Sequence, residues 1–275
     1  MGELLAAATN PLGRGESGTP PLVSLRAVSK SFENGAVALD ALDLDVFPGE
    51  TLTLLGPSGC GKSTALRIVA GFAQPTRGEI SWLSEAARQN LGVVFQEATL
   101  LPWATVFANV YLPLRLAGMG RREAEPRVLE ALAMVRLEAA RDALPRELSG
   151  GMKMRCAIAR ALVTRPKLLL MDEPFAALDE VTRFSLNDEL LELKRATQTT
   201  IVFVTHSVAE SVYLSTRVVV LAAGGGRVTD EIMIAPKAPR DAEYRLGPEF
   251  SAYVRRASAA LRRAMGESAG ASTLL

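Results

Sequence analysis

The chain has 275 residues, 48% hydrophobic and 22% charged, with 31 basic and 30 acidic side chains that nearly cancel. That length and balance suit a folded core domain with room for a small satellite, and they exclude disorder over most of the chain and any global attraction to nucleic acid or acidic lipid. Two cysteines, Cys60 and Cys156, build no disulfide framework and suit a reducing compartment, and no apolar run approaches the roughly eighteen residues of a membrane span.

At the amino end Glu3 precedes the short run Leu4 to Ala8 with no basic lead-in, so no secretory signal is expected, and residues 1–21 are expected to form a disordered leader. From Val23 the pattern turns strand-like; Leu42 to Phe47 alternates apolar and acidic residues before Pro48-Gly49 turns the chain. Thr51 to Leu55 is a short extended run feeding a glycine-rich loop, with helical character from Thr64 to Ala70. Gly78 to Trp82 and Leu91 to Phe95 are further strands. Between Ala104 and Ala143, Leu, Ala, Arg and Glu recur at helical spacing, which predicts a helical insertion punctuated by Pro102, Pro113 and Pro126. Leu168 to Met171, Thr200 to Thr205 and Val218 to Ala223 are apolar runs of strand length, with helices before and between them. Such alternation predicts a largely parallel sheet covered on both faces. Beyond Asp230, prolines 236, 239 and 248 set off a last stretch in which Phe250, Tyr253, Val254, Ala257 and Leu261 share a helical face. Arg255, Arg256, Arg262 and Arg263 make the rest basic: a docked helix with a solvated face, or a membrane or partner contact.

Gly56-Pro57-Ser58-Gly59-Cys60-Gly61-Lys62-Ser63 fits the G-x-x-x-x-G-K-[ST] pattern between a predicted strand and helix. Glycines let backbone N–H groups wrap phosphate oxygens, the following helix start at Thr64 adds partial positive charge, Lys62 adds a formal one, and Ser63 offers a hydroxyl to Mg²⁺. Cys60 inside the loop is expected to fill space. Leu168 to Met171 ends in Asp172-Glu173 at the carboxyl edge of the sheet. Strand alternation should point these two carboxylates apart, Asp172 toward Mg²⁺ and Glu173, as general base, toward a water in line with the γ-phosphate. His206, the only histidine, follows another apolar strand and is placed to bond the γ-phosphate or the attacking water. Gln96, after Phe95, offers an amide oxygen to Mg²⁺ or water. Phe32 either stacks on adenine or serves as an ordinary core or edge aromatic. Ser149-Gly150-Gly151 opens a second helix as another anion-binding concavity, which one chain does not need for one nucleotide but a head-to-tail pair would.

Taken in this order, the motifs resemble the ATP-binding subunits of ABC transporters over roughly residues 23–230. Gly56 to Ser63 is similar to their Walker A loop, Gln96 to the Q-loop glutamine, Leu148 to Gly151 to the signature, Leu168 to Glu173 to Walker B, Ala176 to Asp179 to the D-loop, and Thr205-His206 to the switch histidine. The resemblance implies an α/β P-loop NTPase of ABC type: a RecA-like, mostly parallel sheet core with an antiparallel β subdomain and a helical subdomain. It divides the chain into an ATPase domain over 22–235, its helical subdomain at about 97–165, and a C-terminal extension over 236–275. It further implies ATP and Mg²⁺ as bound groups, with Phe32, the Gly56–Thr64 segment, Ser149 to Gly151 and Asp179 on the nucleotide, Ser63, Gln96 and Asp172 on the metal, and Lys62, Gln96, Glu173 and His206 in catalysis. The implied partners are a second copy of the chain, membrane permease subunits and, indirectly, an extracytoplasmic solute-binding protein. Nucleic acid is not expected, and the location implied is peripheral, on the cytoplasmic face of the membrane. Phe95 to Ala98 and Leu100 to Trp103 resemble the branch that imports nitrate, taurine, alkanesulfonate and thiamine precursors, with Trp103 either an anchor for the permease or a core tryptophan. Met152, Met154, Cys156, Ala176, Ser207 and Gly224 to Gly226 depart from the usual pattern but leave the catalytic set intact. A soluble P-loop kinase or GTPase has no use for the distant glycine pair. A non-transport ABC ATPase acting on nucleic acid or ribosomes is disfavoured by near-zero charge and by the lack of a long coiled-coil insertion.

Overall fold

The computed structural model describes residues 19–235 and 239–266; most of the expected leader, Pro236 and residues 267–275 lie outside that set. Strands β1 (Val23–Ser31), β2 (Val37–Val46) and β4 (Arg77–Trp82) form an antiparallel sheet in the order β2-β1-β4. In β2 the buried residues Leu42, Leu44 and Val46 alternate with Asp43 and Asp45, so one face is apolar and the other wet. Ala41, at φ 53°, offsets that alternation and still brings Leu39 to the buried face.

Strands β3 (Thr51–Leu55), β5 (Leu91–Val94), β6 (Leu168–Asp172), β7 (Thr200–Thr205), β8 (Arg217–Leu221) and β9 (Val228–Met233) form the second sheet in the order β5-β6-β7-β3-β8-β9. All pairs are parallel except β8 with β9. Every residue of β3, β6, β7 and β8 is buried, which is why these segments carry continuous apolar runs and not alternating ones. Registers of Leu55 with Thr205 and of Asp172 with Val204 bring the carboxyl ends of β3, β6 and β7 to one sheet edge. There the three chain segments after Leu55, Asp172 and Thr205 must meet.

Helix α1 (Lys62–Val69) follows β3, and α2 (Glu85–Gln89) joins β4 to β5. Between β5 and β6 lie α3 (Val106–Leu116), α4 (Arg121–Met134) and α5 (Gly150–Leu162). Pro113 and Pro126, expected to punctuate this insertion, lie inside α3 and α4. An interior proline costs about 3 kcal/mol, whereas burying Val106, Phe107, Val110 and Leu114 along α3 contributes about 1.5–3 kcal/mol each, so packing wins. Pro126 and Arg122, the residue whose carbonyl a proline at this position cannot pair, are both exposed, so that oxygen need not be buried without a partner. Helices α6 (Glu180–Thr197) and α7 (Val208–Leu214) flank β7 in sequence, and α8 (Ala242–Leu246) leads to α9 (Pro248–Ala264). The last helix docks: Ala257, Ala260 and Ala264 are buried with Val218, Val220 and Ile232, while Arg255, Arg256 and Arg262 point to solvent. The strand expected over Leu91 to Phe95 stops at Val94, the one expected to reach Ala223 stops at Leu221, and α2 and β9 were not anticipated.

Candidate functional site

Where β3 ends, Gly56 sits so close to its surroundings that a Cβ there would lie 2.6 Å from Cys60 Sγ and 2.9 Å from the Leu221 carbonyl. Gly61 caps α1 at φ 100°, and a Cβ would lie 2.2 Å from the Ala38 carbonyl. The loop is thus pinned between β8 and β2 by positions that admit only hydrogen. Gly59 is also left-handed, at φ 77°, but has open space around it. We expect Gly61→Ala to cost more than 2 kcal/mol, about 5 °C or more in Tm, because strain adds to a backbone clash, and Gly59→Ala to cost the strain alone, at about 1–2 kcal/mol. Thermal unfolding of the two variants checks this; equal losses would count against the pinning.

Lys62 is 4% exposed, and its ammonium donates to the carbonyls of Gly56 at 2.9 Å and Pro57 at 2.8 Å, with Cys60 Sγ at 3.8 Å. Burial pushes the Cys60 thiol above its usual range, against the opposing pull of Lys62, so it fills space and is no nucleophile. Ser63 Oγ donates to Asp172 Oδ1 at 2.7 Å across the gap between α1 and β6. Burial raises the Asp172 carboxyl, and the Ser63 hydrogen bond opposes that rise. Hydroxyl and carboxylate oxygens are the hard donors Mg²⁺ takes, and no group of three or more His, Cys, Asp or Glu gathers for a metal among the described residues. These two protein oxygens, with the remaining positions open to a further oxygen donor, phosphate and water, fit that ion.

Glu173 departs from the expected strand alternation: it adopts φ 46°, outside β6, while its N–H donates to the Val204 carbonyl at 3.0 Å. The left-handed turn swings its carboxylate to His206, with Nδ1 3.0 Å from Oε2. A non-glycine residue held at positive φ stores strain, and here the strain sets the carboxylate that faces His206. A cleft of ≈ 320 Å³ opens here, lined by Phe32 and Ala38, by Ser58, Gly59 and Gly61 to Thr64 of the loop and helix start, and by Glu173. Phe32 is 49% exposed, which removes the core alternative, and Lys30 Nζ lies 5.7 Å from its ring centre. Gln96 is exposed in the loop after β5 and is not among the lining residues. Trp103 is 76% exposed, so it is no core tryptophan.

Ser149 caps α5, its hydroxyl accepting from the Met152 N–H at 3.3 Å, and Ser149 and Gly150 are exposed. Neither they nor Gly151 lines the cleft. Asp179 caps α6 in the same way, and the Thr182 N–H that its carboxylate accepts holds its pKa below the ordinary value. Two residues were missed in the sequence. Thr205 Oγ1 donates to Glu210 at 2.6 Å, and Arg183 faces the other oxygen of that carboxylate. The Ser207-x-x-Glu210 spacing signals a capped helix start, but Glu210 turns to Thr205 instead of closing the cap.

Residues 39–176 match the family model described as ABC transporter. The chain is 46% identical over 235 residues to an ATP-binding protein of Brucella abortus, covering 84% of this chain and 90% of that one. It is 44% identical over 210 residues to the spermidine/putrescine import ATP-binding protein PotA of Vibrio vulnificus, covering 74% of this chain and 55% of PotA. The dimeric structure of a bacterial ABC transporter cassette superposes with a TM-score of 0.68 at 33% identity, covering 78% of this chain and 99% of that one.

Proposed function

Because the chain belongs to the ABC transporter family of ATP-hydrolysing, permease-coupled subunits, we propose that two copies of it face each other head to tail around two ATP molecules. One observation carries the proposal: the helix start after Gly61 lines the cleft and the one after Ser149 does not, although both offer backbone N–H groups of the kind that bind anions. An isologous pair sets the helix start at Ser149 to Gly151 of one copy, where Ser149 and Gly150 are exposed, against the Gly56 to Ser63 loop of the other, so that each pocket is completed by its partner. The dimeric arrangement of the related cassette supports this pairing.

In that pocket Lys62 exchanges the carbonyls of Gly56 and Pro57 for phosphate oxygens, and Phe32 stacks on the adenine. Ser63, Asp172 and Gln96 would hold Mg²⁺, which supplies positive charge to the phosphates. Glu173 takes the proton of the attacking water as its oxygen bonds to the γ-phosphorus and the bond to ADP breaks; His206, 3.0 Å from Glu173, holds that carboxylate in place. Ser149 to Gly151 of the opposite copy donate backbone N–H groups to the same phosphates, and Asp179 stands beside them. The 22–235 segment works as the ATPase domain, with a helical subdomain at about 97–165 that carries the exposed Trp103 toward a permease. Among the described residues no helix is long and apolar enough to cross a membrane; in this reading the chain attaches on the cytoplasmic side through that permease. Phe95 to Ala98 and Leu100 to Trp103 support solutes of the nitrate, sulfonate, taurine or thiamine-precursor type, delivered by an extracytoplasmic binding protein. The competing solute class is the polyamine pair named for the Vibrio relative; ligand identification on the co-purified binding protein decides between them.

Mixing two inactive variants tests the composite pocket. Lys62→Ala and Ser149→Arg should each lose ATP hydrolysis, while a mixture regains part of it, because the heterodimer holds one pocket with an intact loop and an intact opposing helix start. A mixture as inactive as its components would sink the head-to-tail reading.

A further inference from the structure

Between the histidine and the second helix start runs a line of contacts that the hydrolysis chemistry does not itself use. Glu210 in α7 is 6% exposed, with one carboxylate oxygen accepting from Thr205 Oγ1 at 2.6 Å, directly before His206. Its other oxygen lies 3.5 Å from Nε of Arg183 in the first turn of α6. Arg183 in turn donates to the Leu178 carbonyl at 3.0 Å. Leu178 and Thr182 press on α5: a Cβ on Gly150 would lie 3.3 Å from Leu178 Cδ2, and one on Gly151 would lie 2.7 Å from Thr182 Cγ2. The links at either end are close, and the central one is a charge pair at 3.5 Å.

We infer that Arg183 and Glu210 are positioning residues that lock the strand end carrying His206 to the turn supporting Ser149 to Gly151, so that one chain's γ-phosphate side and its contribution to the opposite pocket move together. The inference rests on the composite-pocket reading above. A carboxylate taken out of water stays charged only beside a compensating partner, so Glu210 cannot part from Arg183 without cost, and neither can the segments they hold. Burial raises the Glu210 carboxyl, while Thr205 and Arg183 oppose that rise, as a buried group dependent on these two neighbours requires. Arg183 Nε has no hydrogen bond among the described residues, so charge and not a directional bond holds this link. That lets the two helices adjust without separating.

A double-mutant cycle on the full chain with Mg-ATP tests this. Arg183→Met and Glu210→Gln should each lower kcat about tenfold, as small displacements of reacting groups do, with KM for ATP within about twofold of the parent. The double variant should lose no more than the worse single one, and Arg183→Lys should recover most of the rate. Losses that multiply to about a hundredfold, a loss confined to KM, or parental kcat in both single variants would overturn the coupling. If Arg183→Met does not fold, Arg183→Lys paired with Glu210→Asp carries the same cycle. Lys62→Ala, run alongside, separates the two readings: activity there sinks the pocket itself, whereas an inactive Lys62→Ala beside parental Arg183→Met and Glu210→Gln sinks only the coupling.

Discussion

Replacing Glu173 by glutamine is expected to lower ATP turnover by about 10²–10⁴-fold, the range a positioned general base contributes, while nucleotide binding persists. The amide is close to isosteric, keeps an oxygen for His206 Nδ1, and leaves the backbone bond to Val204 untouched. What it loses is the lone pair that accepts the water's proton. With the γ-phosphate uncleaved, the closed pair of chains has no route to reopen, so Mg-ATP should shift Glu173→Gln from monomer to dimer on size exclusion more completely than the parent chain. A variant that stays monomeric with Mg-ATP, or that hydrolyses at the parental rate, would remove Glu173 from the base role. His206→Ala provides a contrast: it leaves the carboxylate in place but frees its position, so hydrolysis should fall less steeply than in Glu173→Gln.

How much of this could be seen in the sequence depends on how local each cause is. Leu168 to Met171 and Thr200 to Thr205 announce themselves because a strand buried on both faces must be apolar throughout, a property of the segment alone. The glycines of the phosphate loop are legible for a related reason: the backbone at Gly61 requires a positive φ and the neighbouring Ala38 carbonyl excludes a side chain. Strand β9 hid because, apart from Ile232, its residues are only partly buried or exposed, so Thr229, Asp230 and Glu231 read as loop. Pro113 misled because its local cost is offset by packing with helices distant in sequence. Glu173 misled in the opposite sense: alternation holds along β6, but the chain leaves the strand one residue earlier than the pattern requires, and the carboxylate reaches His206 through a left-handed turn. The Arg183 and Glu210 pair was invisible because its partners lie 27 positions apart, and the one local signal at Glu210, its spacing from Ser207, points to a helix cap and not to Arg183.

Lys62→Ala should act on occupancy where Glu173→Gln acts on chemistry. The ammonium sits 4% exposed beside the cleft, and its partners are carbonyl oxygens and a sulfur, not a carboxylate, so its charge remains available to phosphate. A hydrogen bond to a charged group contributes about 1.5–3 kcal/mol, and the upper value corresponds to roughly a hundredfold in Kd. Alanine also leaves the carbonyls of Gly56 and Pro57 without their donor, so the nucleotide-free variant should unfold a few degrees earlier. The thermal shift on adding ATP gives the sharper measurement. At ATP one hundred times the parental Kd, binding stabilises the parent by about 2.7 kcal/mol; a hundredfold weaker site retains only about 0.4 kcal/mol under the same conditions. Lys62→Ala should therefore show almost no ATP-dependent rise in Tm, whereas Glu173→Gln should show one at least as large as the parent's. A full ATP-dependent shift in Lys62→Ala would mean that the loop's backbone alone holds the triphosphate, and the lysine would then have no place in binding.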